Sequence, residues 1–119
     1  MNDDTSSPAT RGLPHHKLLA YTVSLELLAA VRAATLRDAT LRDHALRSAK
    51  SACLDAAEGA GRVTRPDKAR AFAIARAEAC EAAAAVEIAA ASGDAAAGGA
   101  ALVLGLADRL VALLTGLIR

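Results

Sequence analysis

From Leu18 onward the apolar residues return at steps of three and four (Leu18, Tyr21, Leu25, Leu28, Val31), the spacing of one helical face. This predicts a first helix over residues 14–36, with Pro14 in the first turn, where a missing N–H is harmless. A second helix is predicted over 40–60, opened by Asp38 or Thr40 as N-cap and stopped by Gly59 and Gly61, which tolerate positive φ. In "RVTRPD", Thr64 caps and Pro66 begins a third helix that runs to about residue 92, where "SGD" breaks it. A fourth begins near residue 100 or somewhat earlier, and carries Leu102, Leu106, Leu110, Leu113, Leu114, Leu117 and Ile118. Four helices with short connections predict an all-α, antiparallel up-down-up-down four-helix bundle over 13–119. The polar residues 1–12 before it are expected to be a disordered tail.

Two short stretches test this outline. "AAEGAGR" at 56–62 has the glycines of a phosphate-cradling loop, but such a loop follows a strand and precedes Lys-Ser/Thr. Here helix precedes it and Arg62-Val63 follows, so the glycines read as a helix stop. "ATLRDATLRD" at 34–43 is a five-residue duplication. Five residues turn a helix through ~500°, so the copies cannot share a face. A helix end, a cap and a new helix start explain it better than a functional stripe.

Composition sharpens the picture. The 119 residues are 54% hydrophobic but only 2% aromatic, so alanine and leucine must build the core. Alanine alone is about a quarter of the chain, well above ordinary usage. Small side chains let helices approach closely but bury little area each, at ~25 cal/mol per Å². Such a bundle has reason to self-associate, and the alanine-, glycine- and leucine-rich surfaces in "EACEAAAAVEIAAA" and "GGAALVLGLA" are wider than one core stripe.

Net charge is +1, from 14 basic and 13 acidic residues, which gives no global attraction to nucleic acid or anionic membrane. The charges are unevenly spread. Ten basic residues between Arg32 and Arg76 face five acids, whereas Glu78, Glu81, Glu87, Asp94 and Asp108 face only Arg109 and Arg119. The opening residues lack the basic start and apolar run of a signal peptide. The most apolar run, 95–107, is cut by Asp108-Arg109 short of the ~20 residues a span needs. Two cysteines without an export signal suit a reducing compartment, and the expectation is a cytoplasmic protein without membrane contact. Cys53 and Cys80 fall at nearly the same height on adjacent helices and are expected to be buried free thiols.

Candidate chemistry centres on the second and third helices. Ser51, Asp55 and Glu58 stand at i, i+4 and i+7, one stripe. A turn near residue 64 or 65 would bring Glu58 level with Arg70, and Asp55 and Ser51 level with Arg76. One reading is a carboxylate pair for acid–base or metal chemistry. A di-metal bundle uses Glu-x-x-His pairs, and the third helix has no histidine. The other reading, adopted here, is an acid–arginine network that fixes helix register or a subunit contact. His15 and His16 diverge by ~100° on a helix, and His44 is solitary, so no metal or other cofactor is expected. Tyr21 reads as an amphipathic plug at a helix interface. With Tyr21 and Phe72 the only aromatics, base stacking is not expected. Arg62, Arg65, Lys68 and Arg70 crowd the turn and are the candidate phosphate or partner contacts.

"LRDHALRSAKSACLDAAEGAGR" followed by "PDKARAFAIARAEACEAAAAVEIA" resembles the 23S rRNA intervening-sequence protein family. Ser51, Ala57, Glu58 and Gly59 stand at positions matching its Ser-x-x-x-Asn-Ile-Ala-Glu-Gly-like signature. Phe72, Ile74, Ala75, Arg76 and Glu81 follow as in its next helix, and "LADRLVALLTGLIR" is similar to its last helix. Asp55 stands in place of the usual asparagine, Cys53 of a common proline, and Ala77-Glu78 of a Gly-Ser pair. The resemblance covers residues 15–119. It implies a four-helix bundle assembling as a homopentameric ring, with no enzymatic activity, and makes Ser51, Asp55, Glu58, Arg76 and Glu81 a structural or interface stripe. A non-catalytic scaffold with a protein or RNA partner is then the expected function. A more distant relative, the basic accessory protein of diversity-generating retroelement reverse transcriptases, supplies the alternative of an RNA-binding accessory.

Overall fold

The computed structural model describes residues 12–119, so that, Gly12 apart, the predicted tail lies outside the described residues. A 3-10 turn, Pro14–Lys17, leads into four helices: α1, Leu19–Ala33; α2, Ala39–Gly61; α3, Arg65–Ala91; and α4, Ala97–Ile118. No strand occurs among the described residues. α1 and α3 each pack along α2 and α4 and only brush one another, which makes a bundle of four helices with two principal neighbours each.

The α2–α3 seam is the most extensive. Ala45, Ala49, Ala52, Ala56 and Gly59 follow one another along α2 at steps of four and three, all buried. Across from them, α3 buries Ala71, Ala75, Ala79, Ala82, Val86 and Ala89 at similar steps. Two faces of methyl groups allow the helix backbones to approach far closer than leucine faces would.

Both predicted caps form. The Asp38 carboxylate accepts from the Leu41 amide at 3.0 Å, and the Thr64 hydroxyl oxygen accepts from the Asp67 amide at 3.3 Å. Each satisfies an amide that the helix cannot pair internally. The duplicated "ATLRD" takes two conformations, as a helix end followed by a new start requires. The second copy is the first turn of α2. In the first, Thr35 reaches φ 55°, Leu36 is buried, and the Arg37 amide donates to the Asp94 carbonyl at 3.0 Å. Tertiary anchoring of Leu36 and Arg37 decides the difference, because the local sequence is the same.

Four expectations need correction. First, the predicted 14–36 helix is interrupted: Leu18 is extended, so Pro14–Lys17 is a separate turn and α1 ends at Ala33. Second, Gly59 and Gly61 do not stop α2 through positive φ, since both lie inside it. Gly93, at φ 80°, is the only positive-φ glycine among the described residues. Gly59 serves packing instead: a Cβ there would stand 2.5 Å from Phe72 Cε1. Third, the apolar stripes have a different phase. α1 buries Ala20, Val23, Ser24, Leu27, Ala30 and Val31 and leaves Leu25 exposed. α4 buries Ala100, Val103, Ala107, Leu110 and Leu114 and exposes Leu102 and Leu117. Leu27, Leu110 and Leu114 share these faces with small residues, and the other leucines stand at the margins or outside. Fourth, Cys53 is buried and its thiol donates to the Ser24 carbonyl at 3.2 Å, but Cys80 is exposed, and both are free. Burial pushes the Cys53 thiol above its ordinary pKa despite that bond.

α4 is also longer in its apolar character than the cut at Asp108-Arg109 suggested. By length and composition it could cross a membrane, and 22% of its most apolar 18-residue window is buried in the bundle. Much of an apolar helix therefore faces outward.

The two glycines of α2 give opposite expectations for alanine. Gly59→Ala forces a methyl into the Phe72 ring and should cost ~1–3 kcal/mol, as overpacking does. Gly61→Ala meets nothing within 4 Å and should stabilise by ~0.4–1 kcal/mol through the unfolded chain's lost freedom. Urea unfolding of both variants checks the signs; equal effects would remove the packing role assigned to Gly59.

Candidate functional site

The stripe Ser51–Asp55–Glu58 lies at the edge of the alanine seam, with Ser51 and Asp55 half-buried and Glu58 exposed. It extends two steps further toward the start of α2, through Ser48 and His44, at the same alternation of four and three. On α3, Glu78 and Glu81 face it. The Ser48 hydroxyl donates to Glu81 Oε1 at 3.4 Å, and His44 Nε2 lies 3.4 Å from Glu81 Oε2. Buried Ser48 thus anchors an otherwise exposed carboxylate across the helix pair.

The carboxylates crowd one another. Desolvation raises the Glu78 carboxyl above its ordinary pKa, and the Glu81 charge, a hydrogen bond with Glu81 and the Asp55 charge add to it against a hydrogen bond from Ser48. Asp55 is raised as well, first by desolvation and then by Glu58. The seam carries a surplus of negative charge that the adjoining cations leave uncompensated.

Arg76 does not join this group. Its Nε donates to Thr115 Oγ1 on α4 at 2.9 Å, and that hydroxyl donates to the Val111 carbonyl at 2.7 Å. Glu78 lies two residues, ~200° of helix, from Arg76, so the one faces α2 and the other α4. The expected network of Arg76 with Asp55 and Ser51 therefore does not form. Glu58 pairs within its own helix, accepting from Arg62, four residues on, with Nε at 3.1 Å. The expected level of Glu58 and Arg70 is met, since both line one small groove with Asp67.

The cations of the turn are largely engaged in closing it. Lys68 Nζ donates to the carbonyls of Ala60 at 2.8 Å and Gly59 at 3.3 Å, capping α2, whose own end offers no basic residue in its last turn. Arg62 holds Glu58, and Arg65 donates to the Arg119 carbonyl. Arg70 alone of the four has no hydrogen bond or ion pair among the described residues.

His44, Ser48, Glu78 and Thr115 are the members that sequence reasoning missed. For the first two a signal existed: continuing the Ser51 stripe by the same steps reaches them. His44 is thus not solitary. His15 and His16 lie with ring centroids 4.4 Å apart, and Tyr21 meets His15 edge-on at 4.7 Å, half-buried as an interface plug should be. Among the described residues no group of three or more His, Cys, Asp or Glu side chains could hold a metal ion. The arrangement on α2 and α3 can fix register and tune surface charge, and its hydroxyl–carboxylate contact, Ser48 with Glu81, has the hydroxyl buried.

The raised carboxyls have a definite sign in pH titration. An acid whose folded pKa lies above its unfolded value weakens the fold when ionised in both states, and the loss is recovered as pH falls through the folded pKa. Glu78→Gln should therefore be more stable than the wild type at pH 7. The advantage should shrink as pH falls toward the ordinary carboxylate range. Denaturation midpoints at several pH values test it; a variant less stable at pH 7 would show that Glu78 is held by a favourable partner instead.

No family model matches the chain, and neither does any curated protein. Function is accordingly read from the geometry above.

Proposed function

We propose that the chain is a non-catalytic scaffold protein that assembles with itself and offers the assembly's surface to a protein or nucleic-acid partner. The observation that carries this is the unpartnered face of α3 and α4. Ile74 and Ile88 on α3 are 47% and 54% exposed, and Leu102 on α4 is 57% exposed. Beside them, Ala73, Ala77, Cys80 and Ala84 are exposed at helical steps, lining with Ile74 an open depression of about 700 Å³. The depression is lined by α3 alone, with Leu102 a separate exposed position on α4, and an exposed apolar surface of this kind marks an interaction site.

An up-down-up-down course is the topology proposed for each subunit. Contacts at both ends support it. Arg65, at the start of α3, reaches Arg119 beyond α4, and Arg37, between α1 and α2, reaches Asp94, between α3 and α4. For the assembly we propose the homopentameric ring that the resemblance to the intervening-sequence family implies, acting in the cytoplasm. The RNA-accessory reading draws less support, because Arg62, Arg65 and Lys68 have intramolecular partners and Arg70 alone is left for phosphate.

Light scattering at tens of micromolar should give several times the 12.0 kDa chain mass. In the same samples a thiol reagent should label Cys80 at once in dilute protein and ever more slowly as concentration rises. Cys53 should stay protected throughout. A 12.0 kDa species at every concentration would overturn the scaffold reading.

A further inference from the structure

The α3–α4 face has an acidic border. Glu78 and Glu81, with Arg70 toward the start of α3, line its depression, and Glu87 and Asp108 flank a second groove of about 320 Å³ that continues it through Cys80 and Ala84 and has no cation in its lining. That groove has buried Ala83 and Ala107 as its floor and half-buried Leu104 and Val111 as its wall. Two copies meeting face to face through this surface would set the same four carboxylates against each other, which is costly. The occupant must therefore bring positive charge together with an apolar side chain small enough for an alanine floor.

The chain carries such a feature. On α2, Arg47, Lys50 and Leu54 stand at i, i+3 and i+7, so they form one stripe, and all three are exposed. Leu54 is 71% exposed, which nothing in the bundle's own packing explains. Neither Arg47 nor Lys50 has an ion-pair partner among the described residues, and the same holds for Glu87 and Asp108.

We propose that the Arg47–Lys50–Leu54 ridge of one copy seats in the α3–α4 groove of the next. Leu54 lies over Ala83 and Ala84, and the two cations meet Glu87 and Asp108. The spacing agrees for Lys50: it stands four residues from Leu54, ~6 Å along α2, and Glu87 stands four residues from Ala83 along α3. Because groove and ridge are different surfaces of one protomer, the contact is head-to-tail, and repetition closes a ring when the rotation allows. This rests on the self-association proposed above and names its second face.

Charge reversal tests the pairing, with assembly read by sedimentation velocity at low salt and helicity by circular dichroism. Arg47→Glu with Lys50→Glu should raise the apparent Kd for assembly by about tenfold or more, as reversed charges at an interface do. Glu87→Lys with Asp108→Lys should do the same. Combining all four substitutions in one chain restores opposite charges on the two faces and should restore assembly. Equimolar mixing of the two double variants should yield mixed species that neither forms alone. Leu54→Asp, placed on the open ridge, should weaken assembly without loss of helix. Unchanged assembly in both double variants, or no recovery in the fourfold variant, would overturn the pairing while leaving self-association intact. A monomeric wild type would remove both.

Discussion

The close approach of α2 and α3 is the constraint on which the rest of the structure depends. Ala45, Ala49, Ala52 and Ala56 meet Ala71, Ala75, Ala79 and Ala82 with almost no exposure, and Gly59 admits the Phe72 ring where even a methyl would collide. Dense packing of this kind makes every atom count, since the seam has no slack to absorb one. It also leaves no interior room for long side chains. Polar residues that face the partner helix, such as Ser48, Asp55 and Glu78, are confined to the border of the seam.

The same constraint bears on where the leucines stand. The inner faces of α1 and α4 hold alanines and valines together with Leu27, Leu110 and Leu114, and the remaining leucines stand at the margins. Leu25, Leu102 and Leu117 are exposed, although each belongs to a sound helical repeat. An alanine core gains modest area per residue, at ~25 cal/mol per Å². The exposed side chains hold the apolar area that a further contact could still bury. The self-association proposed above would draw on that area, a consequence of the core's composition.

The sequence made the four helices, their caps and the break at "SGD" legible because these depend on neighbours within a few residues. Asp38 and Thr64 cap where their spacing to the next amides says they should. The role of Gly59 was not legible, because it depends on Phe72, thirteen positions on and across a turn. Nor was the phase of the inner faces: leucines occur all round α4, and which of them turn inward, Leu110 and Leu114 but not Leu102 or Leu117, depends on how the helix is rotated against its neighbours. The site stripe was half legible. Its α2 members share a periodicity, but the choice of Glu78 and not Arg76 as their neighbour follows from helix rotation, about which local spacing says nothing.

The cations of the α2–α3 turn show how a cluster in sequence becomes something else in space. Four positive charges within nine residues suggest a phosphate site, yet a helix that ends in Ala60 and Gly61 leaves carbonyls facing outward with no basic residue in its last turn. Lys68 comes back from α3 to satisfy two of them, and Arg62 neutralises Glu58. These bonds hold the connection that sets α2 against α3, so the cluster is first an element of folding. Arg70 remains outward from the cluster, and further unpaired positive charge lies on α2 at Arg47 and Lys50, with Glu87 and Asp108 unpaired on α3 and α4. A near-neutral chain thereby keeps local clusters of each sign on its surface. Net charge therefore says little about where unpaired charge sits, because pairing and capping decide which charges stay free.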